Sequence, residues 1–161
     1  MGRAIAVAAV IFLVVPAAAA DGLGDGLAAY DRGDYRSALE AWKGAAATGN
    51  VAAMNAIAGL YAQGEGVRRD PSVAAAWYRR SAERGNPIGQ LNLGDMHGRG
   101  AGVPRDRGEA YFWLSLAAAQ GNAWSAERKK EIARTMTAAE IAAAQSRIET
   151  WRPKKDPDSK R

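Results

Sequence analysis

Enzyme chemistry needs a nucleophile, a proton carrier or a set of metal ligands, and this chain is sparing with all three. Its 161 residues include one histidine, His97, and no cysteine. Thiolate zinc sites, iron–sulfur clusters, cysteine nucleophiles and disulfide frameworks are therefore excluded, as are paired-histidine metal motifs. None of the serines stands in a G-x-S-x-G or S-x-x-K setting. The carboxylates are scattered and read as helix caps or exposed helical positions. One feature remains to be weighed, the G-x-G turn at Gly64 and Gly66 and again at Gly100 and Gly102, because glycine-rich turns can cradle phosphate. This turn lacks a third glycine, follows a helical pattern instead of a strand, and has no Lys-Ser/Thr after it. Positive φ in a tight helix–helix turn accounts for the glycines, with Val67 and Val103 anchoring the loop to the core. The expectation is a protein without catalytic residues, metal or cofactor.

The elements that carry these residues are repeated. Residues 63–70, QGEGVRRD, lie over residues 99–106, RGAGVPRD, at an offset of 36. The same step places Ala74 on Ala110, Trp77 on Trp113, Ala82 on Ala118, and Gly85-Asn86 on Gly121-Asn122. One step back, Asp34, Ala38, Ala46 and Gly49-Asn50 fall in line, in a copy whose inter-helix loop is five residues shorter.

Each copy reads as two helices. The second opens at an aspartate N-cap, Asp34, Asp70 or Asp106, with Pro71 at the first helical position and Glu109 placed for a capping box. Its apolar stripe runs Ala74, Trp77, Tyr78, Ala82 and Ala110, Trp113, Leu114, Ala118, at i, i+3, i+4, i+8. Gly49, Gly85 and Gly121 end these helices as left-handed C′ residues. The first helices carry Ile57, Leu60, Tyr61 and Leu93, Met96, His97 on one face, so His97 stands in the packing slot of Tyr61. Ala58 and Gly94 are small at one shared position, which lets a neighbouring helix come close. Beyond residue 122 the period decays, and Thr137 with Glu140 opens a last helix that Met136 staples onto Ile141.

The pattern L-G-x5-G-x-G-V-x-x-D-x3-A-x-x-W-x3-A-A-x-x-G-N, nearly whole from residue 93 to 122, resembles the Sel1-like repeat, a tetratricopeptide-like unit with a longer inter-helix loop. The resemblance implies an all-α fold: a short right-handed α-solenoid of about four helical hairpins, with repeats at about 23–50, 51–86 and 87–122 and a capping hairpin at 123–152. It also implies a module that binds another protein or peptide in a concave groove lined by the first helices. By the usual geometry of that fold, Asn55 and Gln63 in one copy and Asp95 and Arg99 in the next face the groove, with Glu131 and Arg134 continuing it. Binding of glycan or peptidoglycan fragments through exposed tryptophans is the alternative reading. Hydrolysis, proposed for cysteine-rich relatives, is a more distant one, since this chain has no cysteine.

The two ends are different in kind. Residues 1–20 have a positive start at Arg3, an apolar run and an A-x-A end at Ala18 and Ala20, the pattern of a signal peptide cleaved near Ala20-Asp21. Retention as an anchor is the other reading. Export, to the periplasm or beyond, with a partner in the cell envelope is the expectation, without stable membrane insertion after cleavage. The net charge of +5 is concentrated in residues 152–161, and residues 153–161 are expected to form a disordered basic tail. The near-neutral body offers no clustered basic face for nucleic acid.

Overall fold

The structure, a computed structural model, describes residues 22–155. The expected signal peptide and the last six residues of the tail lie outside the described residues. Within them the chain forms eight helices and no strand: α1 (Gly22–Asp31), α2 (Tyr35–Ala47), α3 (Val51–Gln63), α4 (Pro71–Glu83), α5 (Pro87–Arg99), α6 (Arg107–Ala119), α7 (Ala123–Ala133) and α8 (Ala138–Thr150). Consecutive helices pack as antiparallel pairs, α1 on α2, α3 on α4 and α5 on α6, and each pair stacks on the next to form an α-solenoid.

Local chemistry sets the helix ends. The Asp34 side chain accepts from the Ser37 N–H, Asp70 from Ser72 and Val73, and Asp106 from Glu109. The first helices are capped in the same way by asparagine: Asn50, Asn86 and Asn122 accept from Ala53, from Ile88 and Gly89, and from Ser125. Each satisfies backbone donors that a helix leaves free in its first turn. Only part of the box expected at Asp106 forms. The Glu109 carboxylate turns away to accept from Trp113 Nε1 at 3.0 Å and to pair with Arg147 at 2.7 Å.

The two G-x-G loops are superimposable in their bonding. Gly64 and Gly100 cap α3 and α5 in the left-handed conformation. Each loop then closes when the N-capping aspartate donates its N–H backwards, Asp70 to the Tyr61 carbonyl at 2.8 Å and Asp106 to that of His97 at 3.0 Å. The second glycine does more than turn the chain. A Cβ on Gly66 would overlap Tyr35, and one on Gly102 would overlap the Pro71 carbonyl, so each loop rests on the start of the preceding repeat's second helix. The loop is thus a stacking surface as well as a turn.

The core follows the helical stripes. Met54, Ile57, Leu60, Leu93 and Leu114 are fully buried, and Trp42 and Trp113 nearly so. Gly94 sits where a Cβ would come 2.8 Å from the Leu114 side chain and 3.3 Å from the Ala110 carbonyl, which lets α5 and α6 approach closely. His97 packs in the slot expected of it. Arg79 can only donate, so the His97 Nε2, 3.0 Å from Arg79 Nη2, accepts. The ring proton is then on Nδ1, which faces the Pro104 carbonyl at 3.3 Å. His97 therefore ties α4, α5 and the α5–α6 loop together.

The C-terminal end departs from a regular hairpin. Thr137 and Glu140 form a complete capping box, and Met136, Ile141 and Ile148 pack on a cluster built around Tyr111, Leu114 and Ile132. Helix α8 lies chiefly across α6, sealing its outer face. The boundary expected at residue 152 also shifts. Lys154 donates its backbone N–H to the Glu83 carbonyl at 2.8 Å and its Nζ to the Glu83 carboxylate at 2.7 Å. The expected tail thus begins as a docked segment, because its first residues find acceptors at the end of α4.

Candidate partner-binding groove

The first helices of the repeats, α1, α3, α5 and α7, share one side of the stack. On α5 the outward stripe is Ile88, Asn92, Asp95 and Arg99, at i, i+4, i+7 and i+11. On α7 it is Trp124, Glu127, Arg128 and Glu131, at i, i+3, i+4 and i+7. These stripes face each other across a cleft of about 350 Å³ lined by Asp95, Arg99, Trp124, Glu127, Arg128 and Glu131. Three of the six groove residues expected from the sequence, Asp95, Arg99 and Glu131, converge here.

Arg128 organises the charges. Its Nε lies 3.4 Å from Asp95 Oδ1 and its Nη1 2.6 Å from Glu131 Oε2, while Arg99 Nε reaches Asp95 Oδ2 at 3.3 Å. The hydrogen bond that Arg128 donates to Glu131 and the nearby Asp95 carboxylate hold its guanidinium above the ordinary value. Glu127 pairs with Lys130 at 2.7 Å, and that hydrogen bond holds its carboxyl below the usual range. Water screens the more exposed of these pairs, which therefore add little to the stability of the fold. At the rim Trp124 leaves 51% of its surface exposed, one of three large exposed apolar residues among those described; Ile88, one repeat earlier at the same register, is another.

The remaining expected residues are distributed differently. Gln63 is exposed beside a shallower recess of about 220 Å³, formed with the exposed Leu27 and with Tyr30, whose hydroxyl donates to Glu65 at 2.9 Å. Arg134 is the C-cap residue of α7, outside the charged cleft, with its charge acting on Glu127. Asn55 lies outside the charged cleft. Its Nδ2 donates to Asn86 Oδ1 at 2.9 Å, which braces the N-cap of α5. The reason is register: one repeat before Asp95 stands Gly59, four residues and one helical turn beyond Asn55. Trp124, Glu127 and Arg128 are not among the groove residues to which the sequence pointed. The available signal was that Trp124 and Ile88 are apolar at one repeat position, seven residues before Glu131 and Asp95.

The other tryptophans are engaged in packing. Trp42 and Trp113 are buried, Trp77 stacks under Arg80 at 4.2 Å, and Trp151 meets Trp113 edge to face at 6.4 Å. Among the described residues no group of three or more His, Cys, Asp or Glu could hold a metal ion, and no helix is long and apolar enough to cross a membrane.

A solenoid of two-helix repeats with an open groove defines a class of helical-repeat protein, and the comparisons place the chain within it. The family model of the Sel1 repeat matches residues 51–86 and 87–122. The chain thus carries two Sel1 repeats. Among solved structures it is similar to c5321, described as a protective antigen present in uropathogenic Escherichia coli strains displaying an SLR fold, with a TM-score of 0.75 and 29% identity over 82% of this chain and 30% of that one. It is also similar to a Sel1 repeat protein from Oxalobacter formigenes, with a TM-score of 0.63 and 32% identity over 68% of this chain and 44% of that one. The chain thus spans less than half the length of either. No curated protein matches it.

Proposed function

We propose that the protein is an exported interaction module whose α5–α7 groove captures a segment of another protein in the cell envelope. Sel1 repeats typically form protein-binding scaffolds, and the two solved relatives share this fold. The observation that carries the reading is the pairing of half-exposed Trp124 with the Asp95, Arg99, Arg128 and Glu131 network, which core packing does not require. An exposed aromatic beside exchangeable ion pairs has the composition of a binding hot spot: the ring supplies apolar contact, and a partner's charges can replace the internal ones.

Export is supported by the A-x-A pattern at Ala18 and Ala20. A mature N-terminus at Asp21 in the periplasmic or secreted fraction is the expected result; intact protein in the membrane fraction would indicate a retained anchor.

The groove is tested by selecting binders from a displayed random peptide library on the mature protein, then measuring the selected peptides on Trp124→Ala and Arg128→Glu. Loss of binding by both variants, with unchanged melting, supports the groove. Undiminished binding moves the site elsewhere. Trp124 is also the one tryptophan whose exposure favours a sugar-stacking reading, so quenching of its emission by peptidoglycan fragments but not by selected peptides would replace peptide by glycan.

A further inference from the structure

A second cleft, of about 540 Å³, lies not in the groove but on the side of the second helices, between α4, α6 and α8. Its apolar wall is aromatic: Phe112 and Trp113 from α6, 4.8 Å apart edge to face, and Trp151 at the end of α8. The remaining wall comes from the segment after α8. Pro153 lies over Gly85, where even a Cβ would come within 3.2 Å of the ring, and Lys154 is bonded to Glu83 through both backbone and side chain. The docked segment forms one side of this open cleft.

Four cations and two carboxylates line this space. Arg147 is neutralised by Glu109 at 2.7 Å and lies over Phe112 at 4.3 Å, while Lys154 is neutralised by Glu83 at 2.7 Å. The other two guanidinium groups pair with no carboxylate among the described residues. Arg79 donates to the neutral His97 ring, and Arg152 donates to the carbonyls of Glu149 and Trp151. Guanidinium presents donors in a planar fork suited to carboxylate, and two unneutralised forks beside aromatic surface select an anion that carries an apolar group.

We propose that this cleft is a second binding site, independent of the groove, that takes an acidic peptide segment with one large apolar side chain. The apolar side chain contacts Trp151, and the peptide's carboxylates bridge Arg79 and Arg152. The charge balance of the cleft favours this occupant: both native carboxylates are already committed, so an incoming acidic group meets net positive charge without having to displace an internal ion pair.

The test uses the mature full chain and a fluorescein-labelled hexapeptide, Asp-Glu-Asp-Phe-Glu-Asp, with its amide counterpart Asn-Gln-Asn-Phe-Gln-Asn as control, read by anisotropy. The acidic peptide is expected to bind, with the amide peptide and the Arg152→Glu variant each weaker by about tenfold or more, the loss expected for a charge-assisted hydrogen bond. Asp95→Arg, on the opposite side, is expected to bind like the wild type. Arg152 is exposed and, among the described residues, donates only to the Glu149 and Trp151 carbonyls, so its variant keeps the fold, which an unchanged melting curve verifies. Equal binding of the two peptides, full binding by Arg152→Glu, or no binding in the millimolar range would overturn the proposal. A variant lacking residues 156–161 that binds about tenfold tighter would also overturn it, by showing that the chain's own acidic residues Asp156 and Asp158 hold the cleft.

Discussion

Trp113 and Trp124 show how little a residue type says until its surroundings are known. Trp113 keeps 4% of its surface exposed, wedged between Phe112 and Trp151 with its indole N–H satisfied by Glu109. Replacing it with alanine leaves a cavity the fixed helices cannot close, and Trp113→Ala is expected to cost about 3–5 kcal/mol of the ~5–15 that a domain possesses. Denaturant unfolding measures this directly; a loss below about 1 kcal/mol would mean the site collapses onto the gap. Trp124, half exposed, is expected to tolerate alanine within about 0.5 kcal/mol, so that any binding defect of Trp124→Ala reads as function. The glycines divide in the same way. Gly102 has φ +72 and no room for a Cβ against Pro71, whereas Gly121 has φ +91 and open space. Gly102→Ala is therefore expected to lower the melting temperature more than Gly121→Ala, since it adds a steric clash to the same backbone strain. Equal shifts would show that the loop can lift away from α4.

Helix α8 is the element in which capping can be read most cleanly. The Thr137 hydroxyl accepts from the Glu140 N–H, and the Glu140 carboxylate accepts from the Thr137 N–H at 2.7 Å. Thr137→Ala is expected to cost about 1 kcal/mol. The Thr137 backbone bond, its hydroxyl and the nearby Arg107 hold the Glu140 carboxyl below its ordinary value; the bonds to Ser37 do the same for Asp34 at the start of α2. A carboxyl lowered on folding stabilises the fold fully above its unfolded value of about 4 and loses that contribution as the pH falls through its folded value. Wild type and Glu140→Gln should therefore differ in melting temperature near neutral pH and converge in acid once the pH has fallen through the folded value of the Glu140 carboxyl. A difference that persists unchanged in acid would assign the effect to side-chain shape instead of charge.

Across the whole molecule, stability passes from repeat to repeat through stacked faces, so an unsealed end loosens its neighbour. At the C-terminal end α8 and the segment after it cover α6. Trp151 lies against Trp113, and Lys154 reaches back to Glu83 on α4, a contact 71 residues apart in sequence. Removing residues 156–161 is expected to leave melting unchanged, while removing 151–161 is expected to lower it and to expose Trp113 to aqueous quencher. Identical behaviour of the two truncations would show that α8 alone seals the solenoid.

What the sequence by itself determined was everything governed within a few residues. The 36-residue step, the aspartate caps, the glycine ends, the G-x-G turns and the capping box at Thr137 were all legible, because each answers a backbone hydrogen-bonding or φ requirement that a particular residue type meets locally. The burial of Ile57, Leu60, Leu93 and Trp113 followed from helical period in the same way. The tertiary structure alone decided which exposed faces meet. It placed Arg128 between Asp95 and Glu131, turned Asn55 to the cap of α5, drew Glu109 from its capping position to Trp113 and Arg147, and brought Lys154 onto Glu83. Those outcomes depend on the rigid-body position of helices set by packed side chains far apart in the chain. An error of one helical turn in register, as at Asn55, is enough to move a residue from a groove to a helix cap.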